Sequence, residues 1–402
     1  MNPCDFKGQT PCYLINEELF EQNMSAFSEA LQTYWPNYII SYSVKTNPLP
    51  WILGKVRQAG HYAEVVSDTE YTLAKRIGFS DQSIIWNGPI KGHDLFLNAL
   101  KNKCIVNIDS QRELEWLKEA NELFDEIHVG LRINFDLEAH CPEESLTQGE
   151  GNRFGFNVEN GTFASVLSDL SVLKNVHICG VHMHTNSKTR SLAVFRALSQ
   201  KTIELAKDFH LKLSYIDIGG SFFVKKYDFQ AYTQYAHAIS EVLSSYFCPE
   251  DTTLIVEPGS ALISTPVSYL TSVLDVKDTH RDRFVVTDGT RLHIDAFMRK
   301  TSYVYDCFSP DGNVLSHTQH NKQIVCGYSC METDRIMTIE NRPELQAGDY
   351  IQYDMTGGYT TTFNAFFIEF MPNVFVLHKD GSHTLVRKKW GVDEFLQNCF
   401  FE

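Results

Sequence analysis

Lys45 is the residue of this chain best placed for covalent chemistry. It follows the run Ile39-Ile40-Ser41-Tyr42-Ser43-Val44, which has the apolar and β-branched content of a buried strand, and Asn47-Pro48 ends that strand. An ammonium at the carboxyl end of a buried strand is costly without a partner. Desolvation favours the free amine, which can form a Schiff base with a carbonyl or with pyridoxal phosphate (PLP). Read alone, Lys45 could equally snorkel to the rim or meet a structural carboxylate. His182 and His184, two apart, share one face of a strand and could be a metal pair, but no cysteine or carboxylate nearby in sequence completes it, so no metal is expected. Glu257, before Pro258-Gly259, could simply cap a turn. Gly219-Gly220 could bring amide N–H groups close to an anion, though such a pair is usually only a turn. Cys330 taken alone is a packing thiol, and Asp334 a surface turn residue.

The elements that must position these residues are short apolar strands alternating with helices. Strands are expected at residues 39–44, 62–66, 84–87, 104–109, 126–132, 176–182, 213–218 and 253–257. Between them, Ser67 with Glu70 and Ser110 with Glu113 have capping-box spacing and open helices, and a long helix covers residues 190–210. A polar loop spans residues 134–153. Eight strands with helical connections over about 220 residues match a (β/α)8 TIM barrel, whose chemistry lies at the carboxyl ends of its strands. Alternation alone also allows a doubly wound sheet. The barrel is favoured because Lys45, Glu64, Asn87, Asp109, Arg132, His184, Gly219 and Glu257 all stand at or just after a strand end. Beyond about Ser268 the pattern turns to strands and turns, including the hairpin signal Asp380-Gly381. The expected organisation is a barrel over residues 30–267 and a β-rich, sandwich- or barrel-like domain from residues 268–402 completed by residues 1–29.

With 402 residues, 43% of them apolar, the chain can build both cores. A formal charge of -15 argues against nucleic acid or an anionic membrane as partner. No run is long enough for a membrane span, residues 1–5 lack a signal-peptide pattern, and ten irregularly spaced cysteines suggest reduced thiols, so a cytoplasmic protein is expected.

Six motifs occur in a telling order: Tyr42-Ser43-Val44-Lys45-Thr46-Asn47-Pro48, His182-Met183-His184-Thr185-Asn186-Ser187, Asp217-Ile218-Gly219-Gly220, Glu257-Pro258-Gly259, Cys330, and Gly357-Gly358-Tyr359-Thr360. Together they resemble the barrel-fold (fold type III) PLP-dependent decarboxylases that include the diaminopimelate, ornithine and arginine enzymes. The resemblance implies PLP as cofactor, held by Lys45 as a Schiff base, with His184 against the ring face and Glu257 at the pyridine nitrogen. It implies a phosphate cradle from Asn186, Ser187, Gly219, Gly220, Gly259 and Tyr359. Cys330 would reach the active site from the other subunit of a head-to-tail homodimer and protonate the substrate carbon, with Asp334, Arg291 and Met331 near the substrate. The implied reaction is α-decarboxylation of a small amino acid with a second polar or charged group, in biosynthesis. The alternatives are an amino-acid racemase, which tends to carry an arginine in place of Glu257, and a non-catalytic PLP-binding protein, which is usually a lone barrel. Departures bear on cofactor and substrate: Ser260 stands where the family usually has a phosphate-binding arginine, Ser221 replaces a third glycine, and Met331 replaces an acidic residue. Arg291, His293, Asp295 and Arg299 occupy the segment of an arginine-proline element, and Tyr305-Asp306 resembles a pair that contacts a distal amine.

Overall fold

The computed structural model describes residues 2–147, 150–316 and 319–400. Two compact units arise, Asn23–Ala261 and a second made of Met1–Gln22 with Leu262–Glu402. The chain opens with β1 (Cys12–Asn16) and the helix Glu17–Tyr34. The first unit then strings together β2 (Tyr38–Ser43), β3 (Tyr62–Val65), β4 (Ile84–Trp86), β5 (Ile105–Ile108), β6 (Ile127–Asn134), β7 (Phe156–Asn157), β8 (Val176–His182), β9 (Tyr215–Asp217) and β10 (Thr253–Val256). Neighbouring pairs are parallel, and the pairings β2 with β10 and β5 with β6 close β2, β3, β4, β5, β6, β8, β9 and β10 into a ring of eight. This is the expected (β/α)8 barrel. Strand β7 pairs with β6 outside the ring.

The ring is filled in layers because side chains alternate along each strand. Ile85, Tyr215 and Ile255 form a buried cluster against which Ile39, Tyr62, Ile105 and Cys179 pack. Two residues further along six of those strands come Ser41, Glu64, Asn87, Asn107, Asp217 and Glu257, each at most 3% exposed. An apolar floor therefore carries a polar layer, whose carboxyl and carboxamide groups hydrogen-bond to one another.

Some local details depart from the sequence reading. Strand β2 stops at Ser43, and Lys45 sits in the single 3-10 turn Val44–Thr46 just beyond it. The loop at residues 134–153, of which 148 and 149 lie outside the described residues, contains the short helix Leu137–His140. The helices Thr162–Ser171 and Gln230–Leu243 carry no start signal, since Gly161 and Phe229 stand at their N-caps without a side-chain bond. Ser67 accepts from the Glu70 amide at 3.2 Å, but Glu70 reaches back to the Val66 amide at 2.8 Å, one residue beyond a capping box.

The second unit is a nine-stranded mixed sheet. Its strands are β1, β11 (Val267–Asp278), β12 (Arg283–Thr287), β13 (Tyr305–Phe308), β14 (Gln319–Cys326), β15 (Arg335–Pro343), β16 (Tyr350–Tyr353), β17 (Asn373–Leu377) and β18 (His383–Arg387). Strand β1 runs antiparallel to β11 and parallel to β17, so the N-terminal strand completes this sheet. Phe6, Cys12, Leu14, Leu270, Tyr350 and Phe375 form its core. Strands β13 and β15 escape a sequence reading: one is four residues long and the other mixes Ile336, Met337 and Ile339 with Thr338, Glu340, Asn341 and Arg342. Among the described residues no helix is long and apolar enough to cross a membrane.

Candidate active site

Lys45 Nζ lies 2.6 Å from Glu64 Oε2, which also accepts from Ser43 Oγ at 2.6 Å. Glu64 is buried, whereas the lysine side chain is 37% exposed, so the amine is reachable while its partner is not. Asn87 Nδ2 extends the line, donating to Glu64 Oε1 at 3.4 Å and in a short hydrogen bond to Glu257 Oε1. Asn107 Nδ2 donates to Asn87 Oδ1 at 2.8 Å and to Asp217 Oδ2 at 3.3 Å, and Tyr215 donates to Asn107 Oδ1 at 2.8 Å. Four strand ends thus join Lys45 to Glu257 through Glu64 and the Asn87 carboxamide, and Asn107 branches from Asn87 to Asp217.

His182, Asp217 and Glu257 each bring one polar atom within 4.8 Å of the others. His182 Nε2 is 3.3 Å from Glu257 Oε2, near enough for an ion pair but without the alignment of a hydrogen bond. Burial works to raise the Glu257 carboxyl. The His182 side chain, the hydrogen bond from Asp217 and the Lys45 charge overcome it and hold Glu257 well below the usual carboxylate range. Asp217 moves the other way, pushed well up by burial and then by the Glu257 charge beside it. His182 with His184 does not assemble a pair of shared ligands, since their rings stack at 6.0 Å and His182 turns toward carboxylates from other strands.

His184 Nδ1 accepts from the Gly220 amide at 3.0 Å. That bond requires an unprotonated Nδ1, and burial followed by the Arg132 charge holds the imidazole well below its ordinary value. His184 is therefore a neutral ring. Gly219, at φ +77°, passes so close that a Cβ there would stand 2.4 Å from His184 Cβ. A Cβ on Gly259 would likewise stand 2.0 Å from Thr46 Oγ1. Ser187 is buried and its hydroxyl accepts from the Arg190 amide at 3.1 Å, while Ser221 Oγ bonds Asn186 Oδ1 at 3.2 Å. Glu144 braces this segment by accepting from the Thr189 amide at 3.0 Å and Ser191 Oγ at 3.1 Å. Arg132 pairs with Asp109 at 3.0 Å and lies 4.5 Å over the Phe154 ring.

The barrel unit thus brings together Lys45, Glu257, His184, Ser187, Gly219, Gly220 and Gly259 at strand ends. The remaining predicted residues belong to the other unit. There Asp334 is 2% exposed and accepts from Arg291 N at 2.7 Å, Thr290 Oγ1 at 2.9 Å and Ser329 N at 3.2 Å. Arg291 pairs with Asp295 at 3.0 Å and donates to the Lys300 carbonyl at 2.6 Å. Both charged groups are engaged internally and brace the loop that presents the exposed Cys330 and half-buried Met331. Tyr359 is 38% exposed, its ring 6.0 Å from that of Phe363. Sequence reasoning did not name Glu64 and Asn87 as site members, and it gave Asn107, Tyr215 and the Asp217 carboxylate no role. The signal that finds them is the two-residue step from the floor positions Tyr62, Ile85, Ile105 and Tyr215.

Comparison with known proteins gives this geometry a family. The profile of the pyridoxal-dependent decarboxylases, pyridoxal binding domain, matches residues 18–264. A diaminopimelate decarboxylase of Aquifex aeolicus is 23% identical over 397 residues, covering 96% of this chain and 91% of the relative. The crystal structure of a diaminopimelate decarboxylase from M. jannaschii matches with a TM-score of 0.84 at 21% identity, over 99% of this chain and 94% of that one. The enzyme of the same name from Helicobacter pylori, complexed with L-lysine, matches at 0.80 and 22% identity, over 97% and 96%. With an amine, a neutral imidazole and an ionised acid gathered at the ends of barrel strands, and with a profile match over well over half of its length, this chain belongs to the fold type III family of PLP-dependent decarboxylases.

Proposed function

We propose that the protein removes the α-carboxyl group from a small amino acid with a second amino or charged group, of the diaminopimelate, ornithine or lysine kind, in a biosynthetic reaction. It does so as a cytoplasmic head-to-tail homodimer, with residues 30–267 as the cofactor domain. The observation that carries this reading is the hydrogen-bonded line Lys45, Glu64, Asn87, Glu257, which links a reachable amine to a buried, ionised carboxylate. The relatives named diaminopimelate decarboxylase and the lysine-bound neighbour support the substrate class.

The residues fit the cofactor. Gly219 and Gly259 let the backbone pack tightly against His184 and Thr46, and Glu257 offers the negative partner that a protonated ring nitrogen needs. When bound, PLP supplies a cationic ring that draws off the electron pair left as carbon dioxide departs. Lys45 holds the cofactor, and Glu64 Oε2 is placed to take the proton that Nζ must lose before it can attack a carbonyl. His184, neutral, would face the cofactor ring without adding charge. Ser187, Gly219, Gly220 and Gly259 would hold the phosphate, to which Ser260 would add a hydroxyl without a charge. Tyr359 would add a phenolic hydrogen bond to the phosphate, and Cys330, reaching in from the other subunit, would return a proton to the α-carbon. Asp334 and Arg291 act on the substrate through the Cys330-Met331 loop that they brace. An ionised Glu257 favours decarboxylation over racemisation, because it keeps the ring strongly electron-withdrawing.

The test is carbon dioxide release across a panel of diaminopimelate, ornithine, lysine and arginine in both stereoisomeric forms, with borohydride reduction followed by peptide mass analysis. Gas release with at least one member of the panel and a phosphopyridoxyl label on Lys45 are expected. Inversion of chirality without gas, or a label on another lysine, would sink the reading.

A further inference from the structure

We propose that Asp217 is a neutral carboxylic acid whose proton bridges to Glu257, making it a positioning residue that keeps Glu257 aligned and ionised for the cofactor's ring nitrogen. The proposal rests on the reading of Glu257 given above, and it follows from counting donors. Glu64 and Glu257 can only accept, so the Asn87 amide must point Nδ2 at both, as it does. Asn87 Oδ1 then needs a donor, which is Asn107 Nδ2. Asn107 Oδ1 needs one in turn, which is the Tyr215 hydroxyl. Tyr215 stays a donor, since burial first and then neighbouring acidic groups push its phenol well above the ordinary value. The chain of donation is therefore fixed in one direction from Tyr215 to the carboxylates.

Within that chain no N–H lies between Asp217 and Glu257, and His182 Nε2, 3.3 Å from Glu257, makes no hydrogen bond to either. The Asp217 oxygens receive the Gly219 amide at 2.9 Å and Asn107 Nδ2 at 3.3 Å, and neither donor faces Glu257 as well. Yet each of the two carboxyl groups brings an oxygen within 4.8 Å of the other inside a layer where both are buried. Two carboxylates can share such a contact only with one proton between them. The groups around the pair decide which one holds it. Glu257 faces Asn87 Nδ2, His182 and the Lys45 charge, all of which favour its ionised form. Asp217 faces the negative Glu257 and, further off, Glu64, which favour its neutral form. The pair thus carries one negative charge, sited on Glu257.

The experiment compares wild type, Asp217→Asn and Asp217→Ala as cofactor-loaded enzymes, with the same proteins stripped of cofactor as a second arm. Asparagine keeps an N–H toward Glu257 and imitates a protonated acid, whereas alanine removes the donor. Loss of that donor raises the Glu257 pKa, so Asp217→Ala should move the acid limb of the kcat/KM profile upward and lower kcat roughly a hundredfold. Asp217→Asn should leave the limb in place and lower kcat by no more than about tenfold. In the stripped proteins, infrared difference spectra of wild type against Asp217→Asn should lose one protonated-carboxyl carbonyl band. That arm needs no PLP chemistry, so it stands or falls apart from the functional reading. The proposal is overturned if no such band is lost, if asparagine shifts the acid limb as alanine does, or if wild type holds a stoichiometric divalent cation that Asp217→Asn releases.

Discussion

The polar layer of the barrel and the polar cluster around Asp334 are both buried, yet they are built on opposite principles. Asp334 receives three donors and is balanced where it stands, and Arg291 beside it is paired with Asp295. In the barrel, Glu64 is equally well supplied, but Glu257 shares the Asn87 amide with it and faces the Asp217 carboxyl. A saturated cluster fixes backbone, while an under-donated one keeps charge and protons ready to be redirected. Removing a residue from the first should therefore cost stability, and from the second, chemistry.

The sharpest break of that contrast is Lys45→Ala. It should lower activity by roughly three orders of magnitude or more, with thermal unfolding nearly unchanged, because the exposed amine contributes little to packing. Mixing Lys45→Ala chains with Cys330→Ala chains should restore part of the activity through mixed dimers; no recovery despite subunit exchange would count against a shared site. Asp334→Ala should do the reverse. Stranding the Arg291 and Ser329 amides and the Thr290 hydroxyl should destabilise the second unit by about 3 kcal/mol, read as a lower denaturant midpoint, and should weaken catalysis only through the Cys330 loop. Equal stability of variant and parent would refute the bracing role.

An effect confined to acid concerns His293, buried in the second unit, whose Nδ1 shares a hydrogen bond with the Tyr269 hydroxyl at 2.6 Å. Burial, then the charges of Arg387 and Lys389, lower its pKa to about 3. A histidine held neutral in the folded state lends its full stability above the unfolded value of about 6.5. Between about pH 6.5 and 3 the unfolded chain takes up a proton that the folded one refuses, so stability falls by about 1.4 kcal/mol per pH unit. Acid titrations of wild type against His293→Gln should differ by that slope, and parallel curves would show that His293 is not held neutral.

Much of this protein was determined by its sequence alone. Short apolar runs alternating with helices, helix-opening Ser67 and Ser110, and polar residues gathered at strand ends specify a barrel, because local composition and spacing decide where strands and helices form. Motif order marked Lys45, His184 and Glu257, since a backbone that must end a strand and present a side chain leaves its trace in Pro, Gly and β-branched neighbours. Only tertiary structure decided that Glu64 is the partner of Lys45, that Asp334 braces a loop, and that Asp217 meets Glu257. Those facts depend on how neighbouring strands and loops pack, Lys45 meeting Glu64 across 19 residues of sequence and Arg291 meeting Asp334 across 43. Protonation of a carboxyl group follows from what it faces across such distances, and no local pattern encodes it.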